Sequence, residues 1–129
     1  MRVLFVTPEC APLAKAGGLG DVSAALPAAL RGLGHEVDIL LPAYSTALGQ
    51  LSGPSEQSRF TELGLDVRVL RRGHFLLADC AALYQRPGTP YQDPGGEDWP
   101  DNALRFGLLS KIAARLAAGY DVLHCNDWQ

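Results

Sequence analysis

The sequence predicts an α/β fold, one open sheet of mainly parallel strands with helices flanking it. Three observations carry this. A continuously apolar run, Val3-Leu4-Phe5-Val6, leads into a glycine turn and then an Ala/Leu-rich segment with helical spacing. Two further apolar runs, at 37–41 and 122–125, each follow a segment with that spacing. The 129 residues are long enough for a single core and too few for two domains.

Composition narrows the class. Hydrophobic residues make up 47% and charged residues 19%, which describes a globular chain rather than a disordered one. The net charge is −3, with no basic run, which argues against nucleic acid or an anionic membrane as partner. No apolar run approaches a membrane span. The four-residue run after Met1-Arg2 also falls short of the roughly 7–15 residues of a signal-peptide core. Cys10, Cys80 and Cys125 are odd in number and far apart, which fits reduced thiols in a cytoplasmic protein and no structural metal site.

Taken in order, the first strand ends in Thr7-Pro8-Glu9-Cys10-Ala11-Pro12, whose two prolines predict an extended loop. The helix expected from about Leu19 to Leu33 places Val22, Leu26, Ala29, Leu30 and Leu33 on one stripe. Pro27 inside it predicts a kink or a division in two, and Gly32 and Gly34 end it. Glu36 to Leu41 completes a β-α-β unit. Residues 45–57 lack periodicity and read as a loop with room for a short helical turn. Leu65 to Leu70 and His74 to Ala78 read as a β-hairpin around Arg72-Gly73, an antiparallel excursion suited to a sheet edge.

Gln85 to Asp98 is a long polar loop. The next helix spans Pro100 to Ala118, with Asp101-Asn102 at its start, Gly119 at its stop and a core stripe of Leu108, Leu109, Ile112, Ala113 and Leu116. Asp121 to Cys125 is expected to be a buried parallel strand. The whole is a Rossmann-like half with a hairpin inserted. The chain ends directly after that strand, where such a sheet continues, so it reads as a fragment.

In an open parallel sheet, ligands sit beyond the carboxyl ends of the strands. That rule gathers residues 9–21, Tyr44 and residues 126–129. Lys15-Ala16-Gly17-Gly18-Leu19-Gly20-Asp21 reads as an anion-binding turn, because a glycine turn at a helix start aims N–H groups outward. It is not G-x-G-x-x-G, and no acidic residue ends the second strand, which weakens a dinucleotide reading. Lys15 precedes the glycines, which excludes a P-loop. Arg105 falls on the buried side of its helix, and is expected to brace the Tyr91 loop or a cleft carboxylate.

Several segments then resemble one family. Thr7-Pro8-Glu9-Cys10-Ala11-Pro12, Lys15 to Val22, Ala25-Leu26-Pro27, Gly34 to Val37 and Leu41-Pro42-Ala43-Tyr44 are similar to the amino terminus of bacterial glycogen synthases and plant starch synthases. Tyr84 to Gly88 with Pro90-Tyr91, Asp101-Asn102 with Arg105-Phe106, and the closing His124 to Gln129 continue the match. The family's His-x-His-Asp-Trp-His carries Asn126 and Gln129 here in place of two histidines.

The resemblance implies a GT-B glycosyltransferase that moves glucose from ADP-glucose to an α-1,4-glucan with retention, without a cofactor or bound metal. These residues would form an incomplete amino-terminal domain, its carboxyl-terminal partner absent. It implies Lys15, Gly17, Gly18 and Asp21 at the donor phosphates. Glu9, Tyr91, Trp128, Arg105 and His124 would lie on the acceptor side, and Asp127 would be the catalytic carboxylate. Another retaining GT-B transferase and a non-catalytic sugar- or nucleotide-phosphate-binding module are the alternatives.

Overall fold

The computed structural model describes all of residues 1–129. Six strands form one sheet in the order β3-β4-β5-β2-β1-β6. β1 (Arg2–Val6) lies between β2 (Glu36–Pro42) and β6 (Val122–Cys125), parallel to both. β5 (Phe75–Asp79) adds in parallel to β2, and β4 (Leu65–Arg72) and β3 (Ser55–Glu62) follow antiparallel. The core runs along the central strands, where Leu4, Phe5, Ile39, Leu40, Leu41 and Leu77 are all but inaccessible.

The hairpin is therefore half right. Leu65–Arg72 and Phe75–Asp79 do pair across Gly73, but Phe75–Asp79 belongs to the parallel body of the sheet. The antiparallel edge is β3 and β4. In residues 45–57 the short helical turn for which the loop left room is α2 (Ser45–Gln50), whereas the start of β3 at Ser55 was not expected. The last strand also departs from expectation. It pairs only with β1 at the sheet edge, so Val122, Leu123 and Cys125 are exposed rather than packed.

Helix α1 (Gly18–Gly32) joins β1 to β2, and α4 (Asn102–Leu116) joins β5 to β6 after the short α3 (Ala81–Tyr84). The two crossovers run in opposite directions along the sheet, so right-handed connections put α1 and α4 on opposite faces. The strand order thus reverses between β1 and β6, and the loops leaving their carboxyl ends diverge there.

The inward side of α1 keeps only part of the expected stripe, Leu26 and Leu30, which pack half-buried against the core. Val22 and Leu33 are 50% and 75% exposed, whereas Gly20, Ser23 and Pro27 face the sheet. Small residues let the helix approach β1 closely, and the Ser23 and Thr7 hydroxyls meet at 2.8 Å. Pro27 does not divide the helix. Lacking an N–H, it frees the Ser23 carbonyl, which instead accepts the Cys10 thiol at 3.5 Å. Burial pushes that thiol up to about 11, so Cys10 is a packing group and not a nucleophile. In α4 the expected core stripe is present, with Leu108, Leu109, Ile112 and Ala113 buried and Leu116 half-buried.

A polar cluster ties the sheet laterally. Arg71 on β4 grips both Asp38 oxygens on β2 at 3.0 and 2.8 Å, and the Tyr120 hydroxyl donates to Asp38 Oδ2 at 2.6 Å. Burial alone would raise the Asp38 pKa, but these hydrogen bonds outweigh it and hold the carboxyl below its ordinary value. Arg86 acts in the same direction on Asp101. A carboxyl depressed in the folded state adds stability above its unfolded pKa, and that stability is lost as pH falls through the folded value. Urea denaturation midpoints should therefore hold from pH 7 to 5 and fall below about pH 4. Asp38→Asn should cost about 1–3 kcal/mol at pH 7 and flatten part of that acid limb.

Candidate active site

The β1 loop builds the site. It does not run extended as its prolines suggested. Cys10 and Ala14 exchange two backbone hydrogen bonds, folding residues 11–13 into a turn. The buried Thr7 hydroxyl donates to the Glu9 carbonyl, and the Tyr44 hydroxyl donates to the Pro8 carbonyl. At Gly20 the Lys15 stem lies close against α1, and a Cβ there would stand 3.0 Å from the Lys15 Cγ.

These contacts turn the Glu9 carboxylate back under the glycine turn, where it is only 3% exposed. Its Oε1 accepts from the Ala16 N–H and from the Gly17 N–H, the latter at 2.8 Å. Two of the N–H groups expected to face a ligand thus already hold an internal anion. The N–H groups of Gly18 and Leu19, at the positive end of α1, have no acceptor in the protein. A Cβ on Gly17 or Gly18 would meet nothing, so the space above both is open. The Lys15 ammonium lies beside that opening, bonded to both Asp21 oxygens at 2.9 and 2.8 Å. Both partners are exposed, so this is a weak pair that an incoming anion can rearrange.

The other Glu9 oxygen, Oε2, accepts from the Tyr91 hydroxyl at 2.7 Å. Burial and that hydrogen bond push the tyrosine pKa well up, so Tyr91 stays a donor to Glu9. The Tyr91 ring stands 5.8 Å from Phe106 and 6.4 Å from Trp128, and Phe106 meets Trp128 edge-on at 5.6 Å. Trp128 remains 67% exposed, an apolar ring face beside polar groups. The Asn126 side chain pins this segment to the Val6 carbonyl at 2.8 Å. Asp127 then turns into the left-handed region at φ 60°, and its Oδ1 accepts the Trp128 N–H.

The loop carrying Tyr91 is tightly held. Arg86 is bidentate to Asp101 and lies 4.8 Å over the Trp99 ring, while the Asn102 side chain and the Trp99 N–H both donate to the Tyr91 carbonyl. Gly88 has φ +101°, and a Cβ there would stand 2.2 Å from the Gln92 carbonyl oxygen. Gly88→Ala should cost about 2–3 kcal/mol, read from the urea midpoint.

Arg105, 1% exposed, reaches this loop from behind. Its Nε donates to the Leu83 carbonyl at 2.7 Å and its Nη1 to the Pro90 carbonyl at 2.9 Å. It touches backbone on both sides of the loop and no carboxylate. His124 lies apart, its ring stacked on Phe5 at 4.8 Å in the sheet. The structure thus gathers Glu9, Lys15, Gly17, Gly18, Asp21, Tyr91, Asp127 and Trp128 at one end of the sheet. It sets Arg105 behind them and His124 beneath. Phe106 is the residue that sequence reasoning missed as a member of the aromatic group. Its place next to Arg105 in the first turns of α4 was the available signal.

Residues 2–129 match the profile of the starch synthase catalytic domain. The chain belongs to that family. It is similar to the glycogen synthase of Aromatoleum aromaticum, with 51% identity over 99% of this chain and 29% of that protein. The glycogen synthase of Dechloromonas aromatica is 49% identical over 100% of this chain and 30% of that protein. The chain therefore spans less than a third of the length of these relatives. Among solved structures, the catalytic domain of starch synthase IV from Arabidopsis thaliana, bound to ADP and acarbose, superposes with a TM-score of 0.71. It is 26% identical, over 98% of this chain and 28% of that one. No helix of this family member is long and apolar enough to cross a membrane.

Proposed function

We propose that the chain forms the amino-terminal wall of a cytoplasmic, two-domain GT-B glycogen synthase. In this reading glucose passes from ADP-glucose to the non-reducing end of an α-1,4-glucan with retention. The observation that carries it is the pairing, at one end of the sheet, of an open turn bearing Lys15 with an exposed aromatic face. The turn, with Lys15 and the free N–H groups of Gly18 and Leu19, suits the diphosphate of a leaving nucleotide. The face, Trp128 beside Tyr91, suits a pyranose ring. ADP and acarbose are bound in the related starch synthase IV structure, which supports this reading.

Each residue then has a task. Lys15 exchanges part of its bond with Asp21 for the donor phosphates and meets the charge that grows on them as the glycosidic bond breaks. Asp21 keeps the ammonium in place, since its own carboxylate repels phosphate. Gly17 and Gly18 leave room for close approach. Asp127, exposed beside Trp128, is the carboxylate placed to accept a sugar hydroxyl at the reacting end. Glu9 has both oxygens committed, so it organises the walls rather than taking a proton.

A longer protein carrying this chain should incorporate labelled glucose from ADP-glucose into glycogen, and the 129 residues alone should not. Lys15→Ala in that protein should lower kcat about a hundredfold with little change in fold, as for loss of one preorganised charge contact. Transfer from a different donor, or to an acceptor other than a glucan, overturns this reading.

A further inference from the structure

A second concavity lies on the β2 and β5 side of the glycine turn. It is a cleft of about 700 Å³ between residues 12–15, the start of α2 and residues 84–90. Of the residues gathered at the candidate site it shares only Lys15, together with Tyr44, Arg86, Gly88, Pro90 and Arg105 from the segments that support that site. Glu9, Gly17, Gly18, Tyr91, Asp127 and Trp128 do not line it. Three of its lining residues, Lys15, Arg86 and Arg105, are cationic, and none is acidic.

The charge at Arg105 is the unresolved one. Lys15 is balanced by Asp21 and Arg86 by Asp101. Arg105 is 1% exposed and makes three hydrogen bonds, to the Leu83 and Pro90 carbonyls and to Asn102 Oδ1, all of them neutral acceptors. Its Nη2 has no acceptor in the protein, and no carboxylate pairs with it. An arginine keeps its proton, so an anion that reaches Nη2 from the cleft would supply the counter-charge that the protein does not. The cleft that it lines also presents the hydroxyls of Ser45, Thr46 and Thr89. Its volume is that of a small-molecule site rather than of a single ion.

We propose that this cleft is a second binding site, for a small phosphorylated metabolite whose oxyanion sits on Arg105 Nη2 and whose polar body meets the hydroxyls of the α2 start and Thr89. The proposal goes beyond the transfer reaction and does not depend on it. The same guanidinium holds the Pro90 carbonyl, one residue from Tyr91, so an occupant rests directly on the support of the acceptor-side loop.

The test is an NMR titration of the arginine side-chain Nε–H signals, with sodium phosphate and sodium chloride compared at equal ionic strength. Phosphate should shift the Arg105 signal saturably, and chloride should not. Thr46→Trp, at an exposed position on the cleft wall, should abolish the shift while preserving the fold. Arg105→Lys, which keeps the charge but loses the fork, should weaken phosphate binding at least tenfold, read from amides of residues 84–90. Glycerol 3-phosphate separates the two sources of the anion. Tighter binding than phosphate identifies an esterified ligand, and equal binding identifies free phosphate. The proposal fails if Arg105 does not shift, if shifts are confined to Gly18 and Leu19, or if Thr46→Trp binds as before. It also fails if maltotriose moves Arg105 and phosphate does not.

Discussion

Glu9→Ala is expected to lower the stability of this chain by about 3–5 kcal/mol, read as a fall in the urea denaturation midpoint at pH 7. The carboxylate is buried and accepts from three donors, the N–H groups of Ala16 and Gly17 and the Tyr91 hydroxyl. Alanine leaves all three without their acceptor and empties the space that the buried side chain fills. The loss should also be localised. Amide exchange should quicken at residues 14–20 and at 89–93, while the β1–β2 ladder stays protected. Glu9→Gln separates charge from shape, because its amide oxygen still accepts from the turn and Tyr91 can reverse to accept from its NH2. It should cost about 1 kcal/mol. Equal losses in the two variants would show that the acceptor geometry is not what holds the turn.

Arg105→Ala is expected to cost about 3–4 kcal/mol by the same measurement. The side chain fills buried space behind the 85–98 loop and is the donor to the Leu83 and Pro90 carbonyls, so alanine leaves a cavity and two orphaned acceptors. Relief from burying an unbalanced cation offsets part of this, which keeps the figure below that of the carboxylate. The readout that distinguishes a brace from simple packing is the loop itself. Tyr91 and Trp99 should become mobile in the variant while α4 keeps its protection, because Leu108, Leu109 and Ile112 hold the helix independently. Uniform loosening of α4 would contradict it.

Much of this architecture was legible in the residues, and the parts that were not have physical reasons. β1, β2 and α4 announce themselves because each buries a face or both faces, which leaves an apolar run or an apolar stripe. β3 buries little. It is an edge strand of Ser, Glu, Gln, Arg and Thr whose half-buried face carries Ser58, Phe60 and Glu62, only one of them apolar, so no hydrophobic period marks it. The inward face of α1 was legible only at Leu26 and Leu30, because close approach to β1 selects Gly20, Ser23 and Pro27, residues that a hydrophobicity pattern passes over. Cys125 and its neighbours read as core because apolar strands usually are, whereas their exposure depends on which side of the sheet carries a partner.

The site shows the same division. The rule about strand ends placed Glu9, Lys15, Asp127 and Trp128 in one neighbourhood. It could not say that Glu9 would fill the turn's own N–H groups, since that follows from a fold-back between Cys10 and Ala14 that the prolines disguised.

The position of Glu9 has a thermodynamic corollary. One side chain is shared by the turn at Ala16 and Gly17 and by Tyr91 in the opposite loop, so neither contact can be altered without a change in free energy at the other. If an anion on the α1 side favours the bridged arrangement by some amount, a sugar that favours it on the aromatic side gains the same amount from the anion's presence. The dependence is reciprocal, and its size is bounded by what the bridge is worth. Cutting the bridge at Tyr91, and leaving Glu9 on the turn, would make the two affinities independent.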